Sequence, residues 1–223
     1  MRLPDVEGLA AALAVHPWAD HPALPGRTNH LRAGVAVPLH WRGAELVCLA
    51  TLRPASMRRH GGEVSFPGGR PEEGDVDLSA TAARECREEV GLAPRCVLGR
   101  LSSFPVFTSD FRLEPFVVEI GSPADAVLQA EEVEALVELE LGAVLAGGVI
   151  EAVGIPWQGT VVDMPVFRPA GWVMFGATAL ALTELLGVLA SLAGVPPLRT
   201  ERGPLRWEEL RARGARAGQP DPT

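Results

Sequence analysis

Gly68-Gly69-Arg70-Pro71-Glu72-Glu73-Gly74-Asp75 and, after a short connector, Arg84-Glu85-Cys86-Arg87-Glu88-Glu89-Val90-Gly91-Leu92 form the stretch that decides the fold. Residues 79–90 read as a helix. Asp77 or Ser79 can cap its start, and Gly91 can end it in the left-handed conformation. On a helix, Glu85, Glu88 and Glu89 are offset by three and four positions, so they point the same way. Ala82, Ala83, Cys86 and Val90 form an apolar stripe beside them. The helix can therefore pack on a core and show three carboxylates along one edge. Like charges at that spacing repel, and a hard divalent cation such as Mg²⁺ or Mn²⁺ relieves the repulsion. Spacing alone also permits a solvated acidic face paired with Arg84 and Arg87.

Strand signals lie upstream and downstream of this helix. Residues 33–40 and 45–52 are apolar runs around Trp41-Arg42-Gly43, a pattern that predicts a hairpin. Residues 53–78 are rich in Pro and Gly, with a short strand expected at Glu63–Phe66. A loop of that length in a compact domain is usually functional. Further strands or short helices are expected at 96–103, 113–120 and 133–139, while 143–162 is left open. Strands interleaved with helices predict one α/β domain. The expected organisation is an N-terminal helix and loop over 1–29, with the helix at 5–16, a main domain over 30–195 and a Pro/Arg-rich tail over 196–223. Within the tail a small helix is expected at 204–213, with disorder over the last ten residues.

Composition excludes several classes of function. The net charge is −8, and all 20 basic residues are arginine. An acidic chain argues against a nucleic-acid partner. Without lysine, any charged side-chain contact to phosphate must come from Arg, which binds it in a planar, bidentate way. Cys48, Cys86 and Cys96 show neither zinc spacing nor an even count, which fits small buried thiols in a reducing cytoplasm. The apolar run 9–15 follows Asp5 and Glu7, where a signal peptide would carry positive charge. Residues 172–193 are long and apolar but interrupted by Thr178, Thr183 and Glu184. They are read as a helix buried in the core or in a homodimer interface rather than as a membrane span.

The segment Arg84 to Leu92 closely resembles the second half of the Nudix box. That box has a glycine, a glutamate after five residues and, after seven more, Arg-Glu-apolar-x-Glu-Glu-x-Gly-apolar. The first half departs from the pattern, because counting back from Arg84 reaches Val76 and Arg70. One extra residue between Gly69 and Arg84 accounts for both, with Asp75 standing where the glutamate belongs. Leu49-Ala50-Thr51-Leu52-Arg53, Arg58, Gly62 and Phe66-Pro67-Gly68-Gly69 are similar to the signature ahead of the box in coenzyme A pyrophosphatases of the Nudix superfamily. Those proteins share the lengthened box with Asp. Fainter echoes are Glu114-Pro115-Phe116-Val117 and Phe175-Gly176-Ala177-Thr178-Ala179. Ala50, Pro54 and Phe175 depart from the signature.

The resemblance implies a Nudix-type α/β/α sandwich with a mixed central sheet and an enzyme requiring Mg²⁺ or Mn²⁺. It implies Glu85, Glu88, Glu89 and a backbone carbonyl near Gly69 as metal ligands, and Arg53, Arg58, Gly68 and Gly69 as substrate contacts. Catalysis would fall to Glu85, Glu89 and a downstream carboxylate, for which Glu132 is chosen from Glu131, Glu132 and Glu134; Glu114 is a weaker candidate. A solvated acidic loop is the competing reading of that cluster. Glycines at 68 and 69 would supply close approach and positive φ. The implied reaction is hydrolysis of coenzyme A or acyl-CoA to 3′,5′-ADP and (acyl-)4′-phosphopantetheine. ADP-ribose, a dinucleotide or a nucleoside triphosphate is the alternative substrate. A non-catalytic nucleotide sensor is the alternative class, and the intact glutamate set argues against it.

Overall fold

The computed structural model describes residues 1–57, 60–157 and 159–213. In chain order its elements are α1 (Val6–Val15), β1 (Leu31–Arg42), β2 (Glu45–Leu52), β3 (Val64–Ser65), β4 (Gly68–Gly69), α2 (Leu78–Val90), β5 (Cys96–Arg100), β6 (Phe104–Pro105), β7 (Phe111–Glu119), β8 (Ala135–Glu140), α3 (Leu141–Gly147), β9 (Val149–Trp157), β10 (Thr160–Val166), α4 (Gly176–Ala193), β11 (Arg199–Arg202) and α5 (Trp207–Arg213).

The main sheet runs β3-β2-β1-β7-β5, with β4 against β1, β6 against β7 and β8 against β2. The β1–β7 pair is parallel and the other pairs are antiparallel, so the sheet is mixed. The expected hairpin forms across Gly43, with Arg42 opposite Glu45. Strand alternation divides the apolar residues between two faces. Ala36, Val47 and Leu49 join Ala82, Cys86 and Val90 of α2 in one cluster. Val35, Val37, Leu46, Cys48 and Ala50 face the other way and pack with Leu9 and Leu13 of α1 and Leu182, Leu185 and Leu186 of α4. The result is an α/β/α sandwich. Because β1 is covered on both sides, Ala33 to Leu39 is a continuous buried run rather than an alternating one.

Helix α4 is the described helix with the length and apolarity to cross a membrane. In this structure it is a core element, with nine buried residues. Its one acidic residue, Glu184, is tied in by the Ser102 N–H (3.1 Å), the Ser102 hydroxyl (2.9 Å) and His16 Nε2 (2.8 Å). The helix begins at Gly176, because Phe167 and Met174 form an antiparallel bridge that keeps residues 172–175 extended.

The segment 143–162 resolves into the end of α3, then β9 and the start of β10. Residues 196–213 are more structured than a tail. Strand β11 pairs in parallel with β9, and Leu205 and Leu210 pack under the small β10-β9-β11 sheet with Val153, Ile155 and Val166. The small helix expected there is α5. The expectation of disorder over the last ten residues lies outside the described residues.

Candidate active site

Helix α2 is fixed at both ends by the residues the sequence indicates. The Asp77 side chain accepts the Ala80 N–H at 2.9 Å, and Gly91 ends the helix at φ 73°. Its start is pressed onto β1 at Gly34, where a Cβ would lie 2.3 Å from the Leu78 carbonyl oxygen. Sequence reasoning passed over Gly34. The available signal was an isolated glycine inside a strand pattern, which marks close backbone approach.

Gly68 and Gly69 form β4, opposite Val35 and Gly34. Neither adopts a positive φ, so that part of the expectation is corrected. Extended pairing with β1 needs no left-handed conformation, and the glycines serve close approach instead. A Cβ at Gly69 would fall 2.0 Å from Glu85 Oε1; one at Gly68 would fall 2.8 Å from the Gly34 carbonyl oxygen.

Glu89 is 1% exposed. Its Oε1 accepts the Gly68 N–H at 3.0 Å, while Oε2 is buried with no partner. Burial pushes its carboxyl up to about 7; the Gly68 bond and the Arg53 charge oppose this, and Glu85 and Glu132 add to it. Burial also raises Glu85, against Arg84 and with Glu88 and Glu132. Glu88 lies at the exposed end of the same edge.

Arg84 stands among these carboxylates. Its Nη1 donates to Glu85 Oε1 (3.0 Å) and Glu88 Oε2 (2.8 Å), and its Nη2 to the Arg70 carbonyl (2.9 Å). Asp75 holds its other side, accepting from Arg84 Nε (3.3 Å) and Nη2 (3.2 Å), the Thr81 hydroxyl (2.9 Å) and the Glu72 N–H (3.0 Å). The Arg84 bond is the main cause that holds the Asp75 carboxyl down at about 2. The lengthened loop closes through a turn in which Gly74 takes φ 105°, and this brings the shorter Asp75 to the guanidinium.

Among the described residues, no three Asp, Glu, His or Cys groups converge as a ready-made metal cage. Arg84 Nη1 bridges Glu85 and Glu88, and Glu89 is turned to Gly68. The donor chemistry nevertheless fits a hard divalent cation. Glu89 Oε2 is a buried carboxylate oxygen without a partner, Glu85 lies against the Cβ-less Gly69, and all the groups offer oxygen.

Of the downstream acidic cluster, Glu131 and Glu134 are exposed and Glu132 is half-buried. The Gln129 N–H donates to the Glu89 carbonyl (3.0 Å), and the Glu132 N–H donates to the Gln129 carbonyl (2.9 Å). This chain of bonds brings Glu132 to the C-terminal end of α2, close enough for its charge to act on both Glu85 and Glu89. Sequence reasoning had no means of seeing the link through Gln129. Arg53 lies beside Glu89, with its Nε buried and unpartnered. Arg58 lies outside the described residues. Glu114, a fainter candidate, is committed elsewhere: it is buried against Arg32 and Arg100.

With this geometry in view, comparison with known proteins is direct. The NUDIX domain family matches residues 30–145, half of the chain. The chain belongs to the Nudix family. It is 39% identical over 113 residues to the mouse peroxisomal coenzyme A diphosphatase NUDT7, covering 48% of each chain. It is 38% identical over 108 residues to the Caenorhabditis elegans peroxisomal coenzyme A diphosphatase ndx-8, covering 47% of this chain and 46% of that one. An uncharacterized Nudix hydrolase NudL from Cronobacter sakazakii is 36% identical over 122 residues, 54% of this chain and 62% of that one. The chain thus spans between 46% and 62% of the length of these curated relatives. Among solved structures, the NUDIX hydrolase of Alicyclobacillus acidocaldarius aligns at 16% identity and TM-score 0.46, over 74% of this chain and 96% of that one.

Proposed function

We propose that this protein is a pyrophosphatase that uses Mg²⁺ or Mn²⁺ to hydrolyse coenzyme A or an acyl-CoA, giving 3′,5′-ADP and (acyl-)4′-phosphopantetheine. The observation that carries the reaction class is the buried, half-unpartnered Glu89 carboxylate, bonded to Gly68 in β4, while the neighbouring Gly69 packs against Glu85. A group so costly to bury is retained where a ligand compensates it. The substrate reading rests on the Arg53-to-Gly69 signature and on the similarity to the two coenzyme A diphosphatases.

Glu85, Glu88, Glu89 and the backbone at Gly69 would hold the cation. Bound there, it supplies charge neutralisation on the phosphates and a more acidic water. Arg53 would grip the pyrophosphate; its charge acts on Glu89, and its buried Nε has no hydrogen-bond partner among the described residues. Glu132 and Glu89 are the carboxylates available to take a proton from the attacking water. Arg84, pinned by Asp75, keeps Glu85 and Glu88 in line.

The test is product analysis on coenzyme A, acyl-CoA, ADP-ribose, a dinucleotide and nucleoside triphosphates. EDTA should abolish turnover, Mg²⁺ or Mn²⁺ should restore it, and coenzyme A should have the highest kcat/KM. If ADP-ribose or a dinucleotide is preferred, the coenzyme A reading fails and the pyrophosphatase reading stands. Cleavage of none of them returns the protein to the sensor class.

A further inference from the structure

Away from the glutamate edge, a cleft of about 330 Å³ opens between the loop Leu24–Arg27, Phe107 and Trp157. That is near the lower end for small-molecule sites, enough for a nucleoside but not for a whole coenzyme A. Its walls combine two aromatic rings with one cation. Arg27 Nε is fastened to the Phe107 carbonyl at 2.8 Å, which leaves its terminal nitrogens without a hydrogen bond among the described residues. The neighbouring carboxylate, Asp110, lies within reach of the Arg27 charge but takes its hydrogen bonds from the Thr28 N–H (3.0 Å), the Thr28 hydroxyl (3.3 Å) and the Asn29 N–H (3.4 Å).

Hydrogen bonds join the cleft to the 106–111 segment. Asn29, buried and at φ 41°, donates through Nδ2 to the carbonyls of Val106, Ser109 and Phe111 at 2.9–3.1 Å. The same 106–111 segment meets the Gly-rich loop on its other flank. The Arg70 guanidinium sits 5.7 Å from the Phe111 ring centre, and Thr108 Oγ1 lies 3.5 Å from His60 Nε2. Phe111 pairs with Leu31 of β1 and Gly69 with Gly34 from the other side of β1, so three residues along the strand, roughly 10 Å, and two strand spacings across it, roughly 10 Å more, separate Phe111 from Gly69.

We propose that this cleft is the subsite for the 3′-phosphorylated adenosine end of the substrate. The adenine stacks against Trp157 and Phe107, and Arg27 pairs with the 3′-phosphate. A flat heteroaromatic joined to a phosphate monoester matches two rings and one guanidinium. The uncharged pantetheine arm would bring Arg27 no anion. In a lysine-free chain with a net charge of −8, this is where a second phosphate finds a cation, distinct from Arg53 at the pyrophosphate. The assignment rests on the coenzyme A reading above, but it is tested without turnover.

Calorimetric binding of 3′,5′-ADP is compared with that of 5′-AMP, so that contacts to the shared 5′-phosphate cancel. Wild-type protein should bind 3′,5′-ADP about tenfold more tightly. Arg27→Ala should bring the two within about twofold, and Trp157→Leu should weaken both ligands alike. Arg27→Gln serves where Arg27→Ala lowers stability, since Asn29 still fastens the loop. The same Arg27 variant should reduce kcat/KM for coenzyme A about tenfold and leave dephospho-coenzyme A near wild type. Equal binding of the two nucleotides by wild type, or an unchanged ratio in Arg27→Ala, overturns the subsite. Failure to cleave coenzyme A, with Arg27-dependent discrimination intact, overturns the substrate reading and leaves the subsite standing.

Discussion

A carboxylate with one oxygen on the Gly68 N–H and the other buried without a partner is held against its own solvation. Glu89 therefore links stability to pH. Its ordinary value is 4.5, and the folded protein raises it to about 7. Between these values the unfolded chain ionises more readily than the folded one. Metal-free protein should thus lose stability from about pH 4.5 to about pH 7, by up to roughly 3 kcal/mol, and level off above. Thermal melts in EDTA across that range check this; Mg²⁺ or Mn²⁺ should reverse the loss at pH 8. Glu89→Gln should flatten the slope and cut kcat by ~10²–10⁴-fold, while near-wild-type turnover would remove Glu89 from the chemistry. The two neighbouring glycines should part company. At Gly69 an added methyl meets the movable end of Glu85, so Gly69→Ala should cost activity far more than stability. At Gly68 it meets the β1 backbone, so Gly68→Ala should lower Tm. Loss of Tm in the Gly69 variant with activity preserved would contradict the placement of Glu85.

Helix α2 was legible almost to the residue, because its signals are local. An Asp cap, a glycine stop and an apolar stripe at helical spacing each act within a turn or two. The three glutamates were equally readable as an edge. The connection between elements was not, since it depends on how the loop folds back. Asp75 could be counted in sequence, but its grip on Arg84 through a turn at Gly74 arises only in three dimensions. The same holds for Glu132, brought to the helix end by backbone bonds through Gln129. This geometry sets a graded expectation. Asp75 touches Arg84, Thr81 and the loop backbone, and none of the acidic edge directly. Asp75→Asn keeps the size and loses the charge that pins Arg84. It should raise the metal concentration needed for half-maximal activity and lower kcat less than Glu89→Gln does. Kinetics at varied Mg²⁺ decide this; a larger kcat loss in Asp75→Asn would make Asp75 a direct ligand.

Across the whole molecule, one α/β domain followed from strands and helices alternating along the chain and its layered sandwich from the Nudix resemblance, whereas the C-terminal third was largely opaque. Residues 196–213 read as a tail because Pro and Arg dominate them and their apolar residues are isolated. Leu205 and Leu210 gain meaning only beneath β9 and β10, which precede them by some fifty residues. Leu210 is fully buried there, beside Val153, Ile155 and Val166. Its truncation should leave a cavity costing ~2–5 kcal/mol, or roughly 5–15 °C in Tm for a domain of this size. The acidic edge packs on a separate apolar cluster, that of Ala36, Cys86 and Val90. Leu210→Ala should therefore keep its kcat below the melting transition. Because β9 ends in Trp157, a cleft residue, the variant should show its functional effect as a raised KM. Melting curves and steady-state kinetics on Leu210→Ala separate the cases: an unchanged Tm would make residues 199–213 an appendage, and a collapse of kcat at low temperature would mean that the two cores are not independent.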